Sequence, residues 1–436
     1  MRFFAVVLMA VSALVGSPVS LAAQSTNPPK LSQLVHDLYF QAIVDEILTF
    51  VDVFGDVVDP AELVSAGIET GVQRLQFIDH VIGLAGNQLS SFPLGSASGG
   101  FTWTFDTSSA AMTRGSNSFG PIFAERPLTV GRRRLNVGTN YQRVTFDRLD
   151  GKRLRGGEIV GYFGRMFDRI QRPPVGIFFA DSLDVRVTTD TLNAFATFGL
   201  TDRFDIGVAV PFSRVDLRAT LSSRVGTTEI GVPDDQEAYV RSTSGTASGL
   251  GDMVIRAKYN IVKRERVALA ESVDVRLPTG DELDLLGVAG PQIKLTFIAS
   301  TDVGKLSPHF NFAYTITGTS TSADEQDAII VAPPEEINYA GGADLALSLR
   351  STVAFDVVGR ILRQAGTLTW APSQFGAQYQ QFHANPGQDL YLLLGSLGFK
   401  VNPFRNMLLT TNVLFPLTKS GLTDNLTWMA GFDYSF

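Results

Sequence analysis

Apolar residues alternate with polar or small ones along much of the chain, and the pattern is clearest in Thr191–Phe212. Every second position in the latter half of this stretch is apolar, at Phe204, Ile206, Val208, Val210 and Phe212. A period of two places these side chains on one face of a β-strand and the intervening residues on the other. Residues 192–198 alternate in the same way, and the short Gly-Leu-Thr-Asp connection predicts a β-hairpin. Arms of roughly ten residues are long enough to cross a membrane.

Alternating segments continue from Arg134 to the C-terminus and predict about twelve strands. Leu183, Val185 and Val187 are out of phase with the positions that follow them, so we expect a β-bulge near Asp190. Short connections fall at Leu200–Arg203, Val262–Arg266, Thr301–Leu306, Leu349–Thr352 and Asn402–Asn406. Long connections alternate with them at Asp147–Ser182, Ser222–Ser248, Pro278–Gln292, Thr319–Glu336, Leu362–Gln388 and Pro416–Asn425.

This sorting of the connections by length favours one class of fold. Transmembrane barrels have short periplasmic turns and long outer loops, whereas a soluble sandwich has no reason to sort its loops in this way. The sequence therefore predicts an all-β fold, a transmembrane antiparallel β-barrel of about 12 strands. The number rises to about 14 if Gly156–Gly164 and Val175–Ala180 supply another strand pair.

The residues before the strands differ in character from the rest. Residues 1–22 combine a basic start, an apolar core and a small-residue cleavage site, which predicts a signal peptide for export. Residues 23–88 carry apolar positions at helical spacing and predict a helical segment, whereas residues 89–130, rich in Gly and Ser and then aromatic, predict a plug-like segment. Residues 131–436 form the predicted barrel. Two interpretations of the helices remain open, a small periplasmic hairpin or ordered leader, and a plug or docking element.

Composition narrows the location and the partners. The chain has no cysteine, so its stability does not depend on disulfides, and its 36 basic against 43 acidic residues give no support for binding nucleic acid. The signal peptide and the barrel together predict the outer membrane of a Gram-negative bacterium, with lipid as one partner. The aromatic last strand, with Trp428, Phe432 and Phe436, resembles the signal that the barrel-assembly machinery recognises.

Three segments carry a family resemblance, namely Gly199–Phe212, Gly249–Asn260 and Val275–Asp281. They resemble signature segments of the outer-membrane channel family associated with the phenol-degradation meta pathway, which is related to long-chain fatty-acid transporters. The resemblance covers roughly Leu183 to the C-terminus and implies a channel or transporter for passive uptake of small hydrophobic or aromatic compounds. The N-terminal part lacks the Asn-Pro-Ala hatch motif of the transporters, so a matching hatch is not implied.

Polar positions opposite the apolar strand faces are the candidates for lining the lumen. They are Asp184, Arg186, Arg203, Asp205, Asp252, Arg256, Lys258, Asp274, Arg276, Lys294, His309, Asn311, Asp356 and Arg360. Both signs of charge are interspersed, which argues against a strong ion preference. These residues either form ion pairs between strands that stiffen the wall, or build a polar constriction that selects solutes. Phe101, Trp103 and Phe105 are candidates for a hydrophobic path, or alternatively form a short strand packed under the barrel.

Catalysis is the rival class of function, and the sequence does not favour it. His36, His80, His309 and His383 belong to no metal or nucleophile motif, and we expect neither a cofactor nor a metal. Ser307, His309 and Asn311 lie close together, as in an outer-membrane lipase, but share a strand face only through the period of two. The remaining alternative is a structural or adhesive outer-membrane barrel with a closed lumen.

Overall fold

A computed structural model describes residues 29–54, 59–90, 102–106, 111–114, 116, 118–169, 172–228, 236–264, 266–318 and 333–436. The predicted signal peptide lies outside these residues.

Two helices precede the strands, α1 (Leu31–Phe54) and α2 (Pro60–Ser90), which confirms the predicted helical segment. A side-chain oxygen of Asp59 accepts a hydrogen bond from the backbone N–H of Ala61 (2.9 Å) and caps α2, with Pro60 at its first position. Gly67 lets the helices approach closely, because a Cβ there would lie 2.7 Å from Cγ1 of Ile47. In the described part of the chain, no helix is long and apolar enough to cross a membrane.

The strands account for most of the remaining chain. They are β1 (Trp103–Asp106), β2 (Ala111–Arg114), β3 (Leu135–Phe146), β4 (Arg148–Leu149), β5 (Lys152–Arg153), β6 (Ile159–Arg169), β7 (Arg172–Gly199), β8 (Phe204–Thr227), β9 (Gln236–Leu250), β10 (Met253–Lys263), β11 (Val267–Leu277), β12 (Gln292–Thr301), β13 (Leu306–Thr317), β14 (Glu336–Ser348), β15 (Ser351–Leu362), β16 (Thr367–Ser373), β17 (Gly376–Asn385), β18 (Leu390–Val401), β19 (Met407–Pro416), β20 (Leu422–Thr423) and β21 (Thr427–Ser435).

Twelve of these strands close into an antiparallel barrel, which confirms the predicted fold. In order around the wall they are β3, β7, β8, β10, β11, β12, β13, β14, β15, β18, β19 and β21, and the last strand pairs with the first. The outer face carries an apolar belt that includes Phe198, Ile206, Phe297, Phe312 and Leu397, each more than a third exposed. A closed sheet leaves no strand edge unpaired, which is the condition for strands to cross lipid.

Two strands are much longer than the barrel wall. The first half of β7 pairs with β6, and the second half of β8 pairs with β9, so that these four strands form a sheet that rises from the long-loop end. The predicted further strand pair, Gly156–Gly164 and Val175–Ala180, lies largely in β6 and β7 of this extension and adds no strand to the barrel. The prediction of long loops at Asp147–Ser182, Ser222–Ser248 and Leu362–Gln388 was wrong, because all three are largely strand.

The predicted bulge near Asp190 was also wrong, since β7 keeps its register with both neighbours there. The change of phase has another cause. Within the barrel, Leu192 and Phe198 face outward and are exposed, whereas above Asp190 Leu183 and Val187 face inward and are buried. Beyond the membrane the outer face of the strand meets water and its inner face meets the helices, so the apolar face changes sides without any irregularity of the backbone.

The helices cover the long-loop end of the barrel. Ile82, Leu84 and Leu89 of α2 share a core with Phe146, Leu362 and Leu390, which lie at the long-loop ends of β3, β15 and β18. A buried ion pair joins Arg74 of α2 to Asp181 of β7 (2.7 Å), and both side chains are 1% exposed. We call α1 and α2 the helical cap. Their position excludes a hairpin at the short-turn end.

The N-terminus of α1 is fixed to the loop between β11 and β12. Lys30 Nζ lies 2.6 Å from a carboxylate oxygen of Asp281 and 2.7 Å from one of Asp284. These hydrogen bonds, first that to Asp281, raise the pKa of Lys30 to about 12. The backbone N–H of Ser32 also donates to the carbonyl oxygen of Leu283 (2.9 Å). The acidic residues of this outer loop therefore hold the cap.

Candidate functional site: an occupied lumen

Residues Ser118–Val130, here named the lumen segment, lie inside the short-turn half of the barrel. This segment has no regular secondary structure, so its backbone groups need partners on the wall. Asp356 accepts hydrogen bonds from the N–H groups of Ile122 (2.9 Å) and Phe123 (3.1 Å). The N–H of Val130 donates to Asp205 (3.0 Å). Wall carboxylates thus satisfy the N–H groups of the segment.

Cationic and amide side chains of the wall satisfy its carbonyl groups. Lys258 Nζ donates to the carbonyl oxygens of Leu128 (2.9 Å) and Arg126 (3.2 Å). Lys400 Nζ donates to that of Pro121 (2.6 Å), and Asn260 Nδ2 to that of Pro127 (2.9 Å). The segment is therefore held by contacts between wall side chains and its backbone, from several sides of the barrel.

A buried cluster of charges lies where the segment meets β13, β14 and β15. His309 Nε2 is 2.6 Å from an oxygen of Asp356, and its Nδ1 is 3.4 Å from one of Asp344. Arg126 of the segment lies 2.8 Å from Asp344, which also accepts a hydrogen bond from the hydroxyl of Ser118. Arg126 is the charged side chain that the segment contributes to this cluster, and it is paired with a carboxylate of the wall.

The lipase arrangement is not formed at this position. The hydroxyl of Ser307 donates to Asp302, and Nδ1 of His309 lies 3.3 Å from the carbonyl oxygen of Ser307 rather than from its hydroxyl. A hydroxyl nucleophile needs its base within hydrogen-bonding distance of that hydroxyl. Asn311 lies against the backbone of Glu125 in the lumen segment. The three residues therefore serve three separate contacts.

A cavity of about 200 Å³ lies on the long-loop side of the lumen segment. Phe123 and Glu125 of the segment form part of its boundary, and the inner faces of β10 to β15 form most of the rest. Arg256 binds Asp274 through two hydrogen bonds (2.6 and 2.7 Å) and also contacts Glu125. Arg360 binds Glu336 (2.7 Å). One wall of the cavity is therefore highly charged, while Val254 and Val358 provide apolar surface.

The structure divides most of the lumen-lining candidates between these two places. Arg256, Asp274, Arg276, Lys294, Asn311 and Arg360 border the cavity. Asp205, Lys258, His309 and Asp356 lie at the lumen segment. Asp252 is at the outer rim, where it accepts hydrogen bonds from the N–H groups of Gly280 (3.1 Å) and Val288 (2.8 Å) and holds the loop between β11 and β12.

Three candidates lie outside the lumen, contrary to the prediction. Asp184 and Arg186 belong to the extension of β7 and share the outer strand face with Leu192, because the register is continuous. Arg203 is an exposed residue of the short turn between β7 and β8. In each case the alternation of the sequence continues past the end of the membrane-crossing part of the strand.

Several residues of the site were missed. Asp344 and Lys400 face inward between outward-facing neighbours, and the alternation rule applied to β14 and β18 would have found them. Glu336 and Gln292 lie at the first positions of β14 and β12, where the pattern had not begun. Glu125 and the rest of the lumen segment have no periodicity, so no sequence signal indicated their position.

The structure describes the backbone of two of the three hydrophobic-path candidates. Phe101 lies outside the described residues, and Trp103 and Phe105 belong to β1, which pairs with β2. Their side chains also lie outside the description. Within the described ranges, no group of three or more His, Asp or Glu side chains is arranged to hold a metal ion.

The fold and the site define a class of protein, a transmembrane β-barrel whose lumen holds a segment of its own N-terminal part. Residues 176–402, just over half of the chain, match the family model described as putative MetA-pathway of phenol degradation. The chain belongs to this family, which confirms the resemblance of its three signature segments. A search of curated protein sequences finds no match.

Among solved structures, the barrel is similar to an outer membrane channel from Pseudomonas putida F1, at 13% identity and a TM-score of 0.44, over 71% of this chain and 97% of that one. It is also similar to the toluene transporter of Ralstonia pickettii, at 12% identity and a TM-score of 0.34, over 72% and 92% of the two chains. A monoaromatic hydrocarbon channel matches at 8% identity and a TM-score of 0.33, over 71% and 91%.

Proposed function

We propose that the protein is an outer-membrane channel for passive uptake of small hydrophobic or aromatic compounds. The observation that carries the proposal is the cavity, which lies inside a closed barrel and is bounded by Phe123, Val254 and Val358 as well as by polar side chains. Membership of a family linked to phenol degradation supports an aromatic solute. A solute that enters at the long-loop end reaches the cavity after the helical cap and leaves after displacing the lumen segment.

The lumen segment has the properties of a movable plug. Its hydrogen bonds to the wall come from side chains such as Lys258 and Asp356, whereas neighbouring strands of the barrel are joined by continuous rows of backbone hydrogen bonds. Water in an opened lumen replaces side-chain hydrogen bonds at low cost, but a broken backbone ladder leaves a whole strand edge unpaired in lipid. The segment can therefore leave its position without opening the wall. Residues 89–130 act as the plug in this proposal.

The hydrophobic path belongs to the same proposal. Phe101, Trp103 and Phe105 precede the lumen segment, and aromatic side chains there would offer an apolar solute a continuous surface. Replacement of all three by alanine is expected to lower the uptake of toluene severalfold. If that variant takes up toluene at the rate of the unaltered protein, the aromatic path is excluded.

Location and assembly follow from the two ends of the chain. Export by the signal peptide, residues 1–22, delivers the protein to the outer membrane, where lipid covers the apolar belt. The last strand, β21, closes the barrel against β3, and the exposed Phe436 follows it. We assign this strand as the contact for the barrel-assembly machinery. The protein works without catalysis, which is in keeping with the separated contacts of Ser307 and His309.

Uptake by intact cells tests the proposal. Gram-negative cells that express the full chain are compared with cells that lack it, with radiolabelled toluene, phenol and a sugar of similar size as solutes. We expect faster initial uptake of toluene and phenol and no change for the sugar. Equal uptake of all three solutes with and without the protein would refute the proposal and favour a structural or adhesive barrel with a closed lumen.

A further inference from the structure

Three hydrogen-bond donors on one wall of the cavity have no partner among the residues that the structure describes. Arg276 Nη1 and Gln292 Nε2 are buried without a hydrogen bond, and Lys294 forms neither a hydrogen bond nor an ion pair within the described ranges. Gln292 is only 4% exposed. Buried polar groups are normally satisfied, so each such donor needs an explanation.

The three donors are neighbours on the wall. Arg276 of β11 lies directly opposite Gln292 of β12 in the register, and Lys294 is two residues further along β12 on the same face. Diagonal positions of an antiparallel pair are roughly 7–8 Å apart, within reach of long side chains that converge on one ligand. The wall therefore presents two cations and an amide at one place.

The acidic residues of the cavity form no hydrogen bond or ion pair with these two cations within the described residues. Asp274 is opposite Lys294 in the register, but both of its oxygens bind Arg256. Glu336 binds Arg360, and Glu125 binds Arg256. All three carboxylates that border the cavity are thus engaged by two arginines. Charged residues of both signs are interspersed along the sequence, but positive charge is in excess at this part of the cavity wall.

The remaining surface of the cavity indicates the chemical class of the rest of the ligand. Phe123, Val254 and Val358 contribute aromatic and aliphatic surface to the same space. An apolar cavity of roughly 150 Å³ in another protein holds one benzene molecule, so about 200 Å³ accommodates a single ring with a small substituent. Planar carboxylates are well matched to the fork of an arginine side chain.

We propose that this wall binds the carboxylate of a small aromatic acid, so that the channel takes aromatic carboxylates of the benzoate type. Arg276 and Lys294 hold the anion, Gln292 donates a further hydrogen bond, and the ring lies against the apolar surface. This proposal rests on the proposed function, the passage of aromatic compounds, and names a substrate class for it.

Calorimetric titration of the full mature protein in detergent tests the site, with benzoate, benzylamine and sodium chloride as probes. We expect saturable binding of benzoate and none of benzylamine, which has a similar ring and the opposite charge. The variants Arg276→Gln and Lys294→Met are each expected to weaken benzoate binding about tenfold or more, since each removes a hydrogen bond to a charged group. Arg203→Gln and Lys305→Met remove matched cations from exposed turns and should bind benzoate as the unaltered protein does.

The outcomes separate this proposal from the broader one. Loss of benzoate binding in the two cavity variants, with toluene uptake by cells unchanged, supports the site. Equal benzoate affinity in all four variants, or chloride competing as strongly as benzoate, overturns it. If benzoate does not bind while toluene uptake depends on the protein, only this proposal fails. If benzoate binds at the wall while neither aromatic compound is taken up, the binding site stands and the proposed function fails.

Discussion

Replacement of Asp356 by alanine is expected to release the lumen segment. One oxygen of this carboxylate accepts the N–H groups of Ile122 and Phe123, and the other contacts His309. The side chain is 1% exposed, so the two backbone donors lose a buried partner when it is removed. Alanine supplies no acceptor in its place. His309 keeps its contact with Asp344.

The size of the effect follows from the two hydrogen bonds. A hydrogen bond to a charged group contributes about 1.5–3 kcal/mol, so the loss of two favours the displaced segment by about 3–6 kcal/mol. Water that enters the space left by the carboxylate offsets part of this loss, so the lower value is the better guide. Because every 1.4 kcal/mol is a factor of ten, about 3 kcal/mol raises the displaced fraction by roughly a hundredfold.

Single-channel conductance in planar bilayers measures this fraction directly. The refolded mature protein should show rare openings, and the Asp356→Ala variant should show openings of the same conductance with a much larger open fraction. Asp216→Ala is the matched control, because Asp216 is an exposed carboxylate of the β8 extension that binds Arg214 and Thr246. An open fraction in Asp356→Ala equal to that of the control would refute the role of the carboxylate in holding the segment.

A steric variant tests the same conclusion without removing a hydrogen bond. The side chain of Ile122 lies against Gly398 so closely that a Cβ there would be 1.8 Å from its Cδ1. Gly398→Val should therefore displace the segment and raise the open fraction. The control is Gly341→Val, where the nearest atom to an added Cβ is 3.6 Å away on Phe310. Equal conductance of the two glycine variants would show that the segment does not depend on this contact.

Two further predictions concern the helical cap. Arg74→Met leaves the carboxylate of Asp181 buried without its ion-pair partner, which costs about 3–5 kcal/mol. We therefore expect α2 to become sensitive to protease in this variant while the barrel stays resistant. An uncut cap would contradict this prediction. The nearby carboxylates of Asp37 and then Asp79, each 3.9 Å from a ring nitrogen, raise the pKa of His36. The stabilisation from His36 is therefore complete below its unfolded pKa of about 6.5 and is lost as the pH rises through the raised value. Hydrogen exchange of α1 should therefore differ more between the unaltered protein and His36→Gln at pH 5 than at pH 8, and His383→Gln should show no such trend.

The barrel could be predicted because lipid imposes a simple rule on every strand. Outward positions such as Ile206 and Val208 must be apolar, so they recur at every second residue. The extension follows no such rule. The outward face of β9 carries Ser242, Ser244 and Thr246 in water, and no apolar alternation marks it as a strand. Its prediction as a loop followed from the absence of the lipid constraint.

The position of the lumen segment could not be predicted from its own residues. Its hydrogen bonds come from its backbone, which every sequence supplies, and the specific groups lie up to several hundred residues away on the wall. The charges of the wall were visible in the sequence, but their partners were not. Lys258 lies opposite Asp205 in the register, with its Nζ 3.9 Å from the carboxylate, but each of the two has a backbone group of the segment as a closer partner.

The two ends of the lumen are closed by different chemistry, and this difference bears on the solute. The cap packs mainly through apolar side chains such as Ile82 and Leu84, which an apolar solute can replace contact for contact. The lumen segment is held by ionic and polar groups, and a hydrocarbon offers nothing to the N–H and carbonyl groups that its displacement exposes. A solute with an apolar ring and an anionic group can make both kinds of contact. Its ring can replace the apolar contacts of the cap, and its charge can bind the cations of the cavity. On the proposed function, the barrel therefore passes an amphiphilic aromatic solute more readily than a hydrocarbon of the same size.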